Sequence, residues 1–205
     1  MFIGHQKTFF TILPLVLLIN LSILLANATV HADYGEPIRY SLWVPVTINE
    51  KSYRLQMLIY IPPKDGKIPT LVLNHGSTGS GMDSDRFKQS VDMPATASFF
   101  VKRGWAVIIP ARRGRAGSEG KYDEGFSVIR ALGYTCFPSR SLAGADRALR
   151  DIEAAMMVIL DMPFVDSNRI AIGGVSRGGA LSVAYAGMHP NQVKAVINFV
   201  GGWLG

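Results

Sequence analysis

The chain has 205 residues, of which 48% are hydrophobic and 18% are charged, and its formal net charge is +6. This is an ordinary globular composition, and the chain is long enough to bury a sizeable core, so a single folded domain is the expectation. The basic excess is modest and dispersed, with no basic run longer than Arg112-Arg113, which argues against nucleic acid as a partner.

Residues 1–32 have the pattern of an export signal. Lys7 is their only formal charge, residues 9–25 are almost wholly apolar, and small residues follow as far as Ala28 and Ala32. This order predicts a secretory signal peptide that is cleaved after Ala28 or Ala32, so the mature protein is expected to be secreted or periplasmic. An uncleaved membrane anchor is the alternative, which is disfavoured because the apolar segment is shorter than the roughly 20 residues that a span needs.

The domain predicted for residues 33–205 begins with two segments that largely alternate polar and apolar side chains. Residues 39–48 and 52–62 show this period of two, and the residues between them can turn, so they predict an antiparallel β-hairpin. Short, continuous apolar runs, typical of strands buried on both faces, follow at residues 70–76, 105–110, 169–174 and 193–202.

Helical patterns separate these apolar runs. One apolar stripe at helical spacing predicts a helix that ends before Pro163; its members are Leu142, Ala145, Leu149, Ile152, Met156 and Ile159. Shorter helices are predicted at residues 95–103 and 178–189. Strands that alternate with helices imply crossover connections, so the predicted fold class is α/β, a mostly parallel sheet with helices on both faces and an N-terminal antiparallel hairpin.

Two loops are too long for simple connections. Residues 76–94 follow the strand at 70–76, and residues 111–140 follow the strand at 105–110. Both loops leave the carboxyl ends of predicted strands, the edge at which open α/β sheets form their binding crevices. We therefore expect both loops to be functional.

The stretch GGVSRGG at residues 173–179 contains the pattern G-x-S-x-G centred on Ser176. It follows a predicted buried strand and precedes a predicted helix, which is the context of a nucleophile elbow with Ser176 as the nucleophile. Attack on an acyl carbon creates an oxyanion that needs two backbone amides. The Arg177 amide is the first candidate for the oxyanion hole. The second is expected from the loop after an earlier strand, with Ser77 first and Thr78 next.

Two histidines lie outside the predicted signal region. His75 precedes the nucleophile on a strand end, and we expect it to shape the oxyanion loop by hydrogen bonding rather than to act as the general base. His189 lies at a predicted helix end before a proline, and the simplest interpretation is a C-terminal cap.

The second long loop contains Arg112, Arg113 and Arg115, which either bind a carboxylate or tie down the loop and face solvent; the latter is favoured. Cys136 is the only cysteine, so no disulfide forms within the chain. A lone thiol in an exported chain suggests a buried cysteine or a partner outside this sequence. No metal-binding pattern occurs, and neither a metal nor a cofactor is expected.

The stretches NHGSTGSG, PARRGRAGSEG and VDSNRIAIGGVSRGG, with the order of the six predicted strands, resemble the α/β-hydrolase superfamily. They are most similar to dienelactone-hydrolase-like proteins, with the catalytic domains of prolyl-oligopeptidase-type peptidases as near relatives. The resemblance covers residues 40–205. One departure is that dienelactone hydrolases carry a cysteine nucleophile whereas this chain has Ser176, which favours a serine esterase.

The resemblance implies a catalytic triad in the order Ser, then Asp or Glu, then His. No acidic residue follows Asp166, and the only later histidine is His189. The chain is therefore expected to be an N-terminal part of a hydrolase that lacks the last strands, the triad acid and the base, and to be inactive alone. Poor solubility is also expected, because the strand within residues 193–200 would be an exposed edge.

These expectations combine into a serine hydrolase of carboxylic esters that acts on a small-molecule ester through an acyl-enzyme. Two alternatives remain open. One is a peptidase of the prolyl-oligopeptidase type, although the short stretch between the signal and the first buried strand leaves no room for an N-terminal propeller. The other is a non-catalytic fragment.

Overall fold

The computed structural model describes residues 34–78, 81–82 and 84–203. The predicted signal peptide at residues 1–32 lies outside these ranges, and its cleavage stays a prediction. Within the described part of the chain, no helix is long and apolar enough to cross a membrane.

Six strands in the described residues form one sheet, in the order β1-β2-β4-β3-β5-β6. The strands are β1 (Ile38–Ile48), β2 (Lys51–Ile61), β3 (Ile68–Asn74), β4 (Ala106–Pro110), β5 (Val165–Val175) and β6 (Ala195–Phe199). The helices are α1 (Ser84–Lys88), α2 (Pro94–Val101), α3 (Pro138–Leu160) and α4 (Arg177–Met188), with a short 3₁₀ turn at Arg130–Leu132.

The predicted fold class is confirmed. β1 and β2 form the antiparallel hairpin, β2 pairs antiparallel with β4, and β4, β3, β5 and β6 are parallel. Helices cover both faces of the sheet. Met156 of α3 and Leu181 of α4 belong to one core, whereas Ala97 and Val101 of α2 belong to the other. All of β3 is buried as a result, which explains its unbroken apolar sequence.

The first half of α3 buries a different stripe from the predicted one. Leu142 is 59% exposed, whereas Ser141 and Gly144 are buried. The loop after β4 packs closely against these turns, because a Cβ at Gly144 would lie 2.7 Å from the Cα of Gly125. Small side chains fit there and leucine does not. The last three members of the predicted stripe are buried as expected.

Among the described residues, β6 is the outer strand of the sheet rather than a strand buried on both faces. Val196 and Phe199 are 41% and 38% exposed. The prediction of burial is wrong for this strand because it has a strand neighbour on one side only. The exposed edge expected for this segment is observed.

The sheet order places three loop regions at one edge. From β3 the chain adds β4 on one side and later β5 on the other. Because β3, β4 and β5 are parallel, their carboxyl ends meet at the same edge, where α/β sheets form their ligand crevices. The loop after β3, the loop after β4 and the turn at Ser176 all leave from this edge.

Candidate active site

Ser176 stands between β5 and α4 in a strained backbone conformation. Its φ is 52° and its ψ is −126°, a region that residues other than glycine rarely adopt. The Ser176 amide donates to the carbonyl oxygen of Phe199 at 3.0 Å, which ties the turn to the end of β6. The Ser176 side chain makes no capping hydrogen bond to α4. The strand-to-helix elbow that the sequence predicts is present.

The glycines of the elbow leave no room for side chains. A Cβ at Gly174 would lie 2.7 Å from the carbonyl oxygen of Asn74, and a Cβ at Gly178 would lie 2.5 Å from that of His75. Both oxygens are backbone atoms at the end of β3, which do not move aside easily. The elbow therefore packs directly against the strand that precedes the oxyanion loop.

The first turn of α4 presents amides beside the serine. The first four amides of a helix lack an intrahelical acceptor. The amides of Gly179 and Ala180 donate to the Ser176 carbonyl oxygen at 2.9 and 3.3 Å and so close the first turn. The Arg177 amide has no carbonyl of α4 within its reach. It lies at the positive end of the helix dipole, as the predicted first oxyanion donor requires.

The loop after β3 passes beside the elbow. A Cβ at Gly76 would lie 3.3 Å from the Cβ of Ser176. Ser77, the next residue, is half-buried. The Thr78 amide donates to the hydroxyl of Tyr134 at 3.2 Å. Since the Thr78 amide is engaged, Ser77 remains the candidate for the second oxyanion donor.

His75 is buried with both ring nitrogens occupied. Its Nδ1 donates to the carbonyl oxygen of Gly76 at 2.8 Å, and its Nε2 accepts from the Arg112 amide at 3.1 Å. Burial, reinforced by the charges of Arg112 and Arg115, lowers the pKa of His75 well below its ordinary value. The neutral imidazole therefore holds the loop after β3 by hydrogen bonding, as the sequence favours, and has no nitrogen free to act as a base.

Acidification is expected to destabilise the fold through His75. The pKa of His75 is lower in the folded than in the unfolded chain, so the unfolded chain binds more protons below the ordinary pKa of about 6.5. Stability from this group is present above pH 6.5 and is lost as the pH falls, by up to about 1.4 kcal/mol per pH unit. Urea unfolding between about pH 7 and about pH 5 measures the slope.

The control for this measurement is the non-titrating variant His75→Gln, which is expected to have a shallower dependence of unfolding free energy on pH than the wild type. Equal slopes for the wild type and His75→Gln would contradict the assignment.

His189 lies at the opposite end of α4 from Ser176. The helix has 12 residues, which corresponds to a rise of about 18 Å. The His189 ring stacks on Tyr185 with 4.4 Å between ring centroids, and its amide donates to the Tyr185 carbonyl oxygen at 2.9 Å. It is the C-terminal cap that the sequence predicts, and it does not reach Ser176.

The arginines of the second long loop pair with carboxylates of the same chain. The Arg112 guanidinium binds both carboxylate oxygens of Glu124 and donates to the carbonyl oxygen of His75 at 2.9 Å. Arg113 pairs with Asp151 of α3, and both side chains are buried. The third arginine of the group is buried as well. These arginines tie down the loop, as the favoured interpretation of the sequence has it. Their guanidinium groups are paired within the chain, so the alternative, that they bind a substrate carboxylate, does not agree with the structure.

The side chain of Arg177 is a feature that the sequence analysis missed. Its guanidinium lies over the rings of Tyr134 and Trp203, 3.7 and 4.3 Å from their centroids, and donates to the backbone carbonyl of Glu124. Burial lowers the pKa of Arg177. The side chain fastens the loop after β4 to the first turn of α4. No periodicity marks these aromatic residues, so the sequence carries no local signal for this contact.

Cys136 is exposed, so the buried-cysteine alternative is wrong, and the alternative of a partner outside this sequence stays a prediction. It lies where the chain turns from the loop into α3, next to Phe137, whose side chain is 73% exposed. The thiol stands apart from the elbow in sequence and has no strand-to-helix context.

Three solved structures with the same fold are hydrolases by name. The α/β hydrolase GrgF from Penicillium sp. sh18 has a TM-score of 0.54 and 19% identity, covering 78% of this chain and 45% of its own. Acetyl xylan esterase 1 from Thermoanaerobacterium sp. JW/SL YS485 has a TM-score of 0.51 and 21% identity, covering 82% and 55%. One of two prolyl endopeptidases has a TM-score of 0.54 and 19% identity, covering 80% and 21%. This chain thus spans about half the length of the first two.

The sheet, its helices and the elbow define an α/β-hydrolase. The sequence profile of the X-Pro dipeptidyl-peptidase (S15) family matches residues 51–204, and the chain belongs to this family. No curated protein sequence matches it. The predicted resemblance to α/β-hydrolases is confirmed.

Proposed function

We propose that the chain carries the nucleophile and both oxyanion donors of a serine hydrolase. The observation that carries this proposal is the strained elbow at Ser176, with φ of 52°, placed between the oxyanion loop and the start of α4. Ser176 Oγ attacks the acyl carbon, and the amides of Arg177 and Ser77 hold the oxyanion. The alcohol or amine then departs, and water releases the acyl group from the serine.

The proton of Ser176 needs an acceptor. His75 has both ring nitrogens engaged, and His189 stands at the far end of α4. We place the triad acid and histidine outside the described residues. The length of the related hydrolase structures, about twice the span of this chain, supports this placement.

The proposed substrate is a carboxylic ester, with an X-Pro peptide as the second candidate. The family favours the peptide, and the acetyl xylan esterase among similar structures favours the ester. An enzyme that releases dipeptides binds the free amine of its substrate, which calls for a carboxylate. The carboxylates of Asp123, Glu124 and Asp151 near this edge are already paired with arginines, so the ester is preferred.

The test replaces Ser176 with cysteine in a Cys136→Ser background. A thiolate needs no general base, so Ser176→Cys reports on the elbow itself, independently of the acid and the histidine. At the start of α4 the thiol pKa is expected about one unit or more below the value of about 8.5 for a free thiol. The rate of iodoacetamide alkylation as a function of pH measures this pKa.

The control thiol is Ser167→Cys in the same background. Ser167 is exposed near the amino end of β5, the strand that leads to the elbow, and its cysteine is expected to keep an ordinary pKa. Equal pKa values for the two thiols would contradict the proposal.

A second measurement tests the oxyanion donors. The Ser176→Cys thiolate attacks the acyl carbon of p-nitrophenyl acetate, the bond to oxygen breaks, and p-nitrophenolate leaves a thioester behind. The ratio of acylation to alkylation is expected to exceed that of the control by at least about tenfold, because amide donors act only on the oxyanion. Comparing p-nitrophenyl esters of acetate and of an X-Pro dipeptide, which share a leaving group, then separates the two substrate classes.

A further inference from the structure

A chain of hydrogen bonds leads from the oxyanion loop to a buried carboxylate. The Thr78 amide donates to the Tyr134 hydroxyl at 3.2 Å, and the hydroxyls of Tyr134 and Tyr122 are 3.1 Å apart. Tyr122 donates its one proton to Glu124 at 3.0 Å, so Tyr134 donates to the Tyr122 oxygen. The Glu124 carboxylate is held by Arg112.

Tyr134 contacts both sides of the proposed oxyanion hole. Its hydroxyl holds Thr78, the residue next to Ser77. Its ring lies 3.7 Å from the guanidinium of Arg177. The other side-chain contact that orients the ring is Phe126, with 4.3 Å between centroids and 20° between ring planes. Tyr134 thus links Arg177, which carries one proposed donor amide, to Thr78, the neighbour of the residue that carries the other.

We propose that Tyr134 is a positioning residue for the oxyanion hole, and this inference rests on the proposed function. Its hydroxyl fixes the backbone at Ser77 and Thr78, so that the Ser77 amide and the Arg177 amide converge on one oxyanion. Donors act in catalysis only when they are held in place before the charge develops. Without the hydroxyl, the Thr78 amide loses its acceptor and the loop beside Ser176 is free to turn.

The test is a matched pair of variants, Tyr134→Phe and Tyr122→Phe, each combined with Ser176→Cys and Cys136→Ser. Both remove one hydroxyl from the same buried network, but of the two hydroxyls only that of Tyr134 contacts a described residue of the oxyanion loop. Acylation by p-nitrophenyl acetate passes through an oxyanion, whereas alkylation by iodoacetamide does not.

Tyr134→Phe is expected to slow acylation about tenfold and to leave alkylation unchanged, because it misplaces a donor without touching the thiolate. Tyr122→Phe is expected to leave both rates within about twofold of the parent. Equal losses of acylation in the two variants, or a parallel fall of both rates in Tyr134→Phe, would overturn the inference, since either result indicates a general structural role.

The proposed function and the role of Tyr134 fail in different ways. If the ratio of acylation to alkylation in the Ser176→Cys parent does not exceed that in Ser167→Cys, the proposed function is overturned. In that case amide hydrogen exchange still tests Tyr134. The Ser77 and Thr78 amides are expected to exchange faster in Tyr134→Phe and not in Tyr122→Phe, and unchanged exchange in both overturns the positioning role.

Discussion

Replacing Arg112 with methionine is expected to lower the free energy of unfolding by about 3 to 5 kcal/mol. The side chains of Arg112 and Glu124 are 1% and 3% exposed, so removal of the guanidinium leaves a buried carboxylate without its counter-charge. Burial alone would lower the pKa of Arg112, but the Glu124 carboxylate raises it above its ordinary value. The variant also removes the donor to the His75 carbonyl oxygen. Urea unfolding measures the loss.

Two further variants test the cause of this loss. Arg112→Met combined with Glu124→Gln is expected to recover much of the stability, because no charge then remains buried without a partner. Arg54→Met breaks the pair between Arg54 and Glu119, whose side chains are 66% and 42% exposed, and little change is expected. Equal losses for Arg112→Met and Arg54→Met would contradict the assigned role of the buried pair.

Replacing Gly178 with alanine is expected to destabilise the fold by about 3 kcal/mol or more and to disturb the elbow. The new Cβ would lie 2.5 Å from the carbonyl oxygen of His75 and closer still to that of Asn74. Both are backbone atoms of the buried β3 end, so α4 has to move away from the sheet. Displacement of the helix start is also expected to raise the thiol pKa of Ser176→Cys.

The matched control is Gly187→Ala in the same helix. A Cβ at Gly187 meets nothing within 4 Å, and alanine is a better helix former than glycine by about 1 kcal/mol. This variant is therefore expected to be slightly more stable than the wild type. Thermal or urea unfolding of the two variants measures whether each one gains or loses stability relative to the wild type. A mild effect of Gly178→Ala would show that the elbow tolerates a side chain, against the prediction.

The sheet and the elbow were predictable because their signals are local. The hairpin strands alternate with a period of two, and the central strands read as unbroken apolar runs because helices cover both faces. The elbow at Ser176 is carried by neighbours within two residues, which must be glycine for steric reasons. Such patterns depend on residues that are close in sequence, so they can be recognised without knowledge of the fold.

The connections between the two long loops and α4 were not predictable in the same way. Arg112 could have faced a substrate, and its partner Glu124 was one acid among several in a charged loop. Tyr134 and Trp203, which enclose the Arg177 guanidinium, are far apart in sequence and belong to no periodic pattern. Their roles follow from which chain segments lie side by side.

The sequence by itself determined the α/β class, the hairpin, and the strand-to-helix turn that carries Ser176, since each depends on local periodicity or on glycines at adjacent positions. The tertiary structure decided which amides and side chains surround that serine. In the folded chain the Thr78 amide donates to Tyr134, and both ring nitrogens of His75 are hydrogen-bonded. Two arginines of the loop after β4 pair with Glu124 and Asp151. These pairings join groups that are distant in sequence, and burial forces each polar group to find its partner in space.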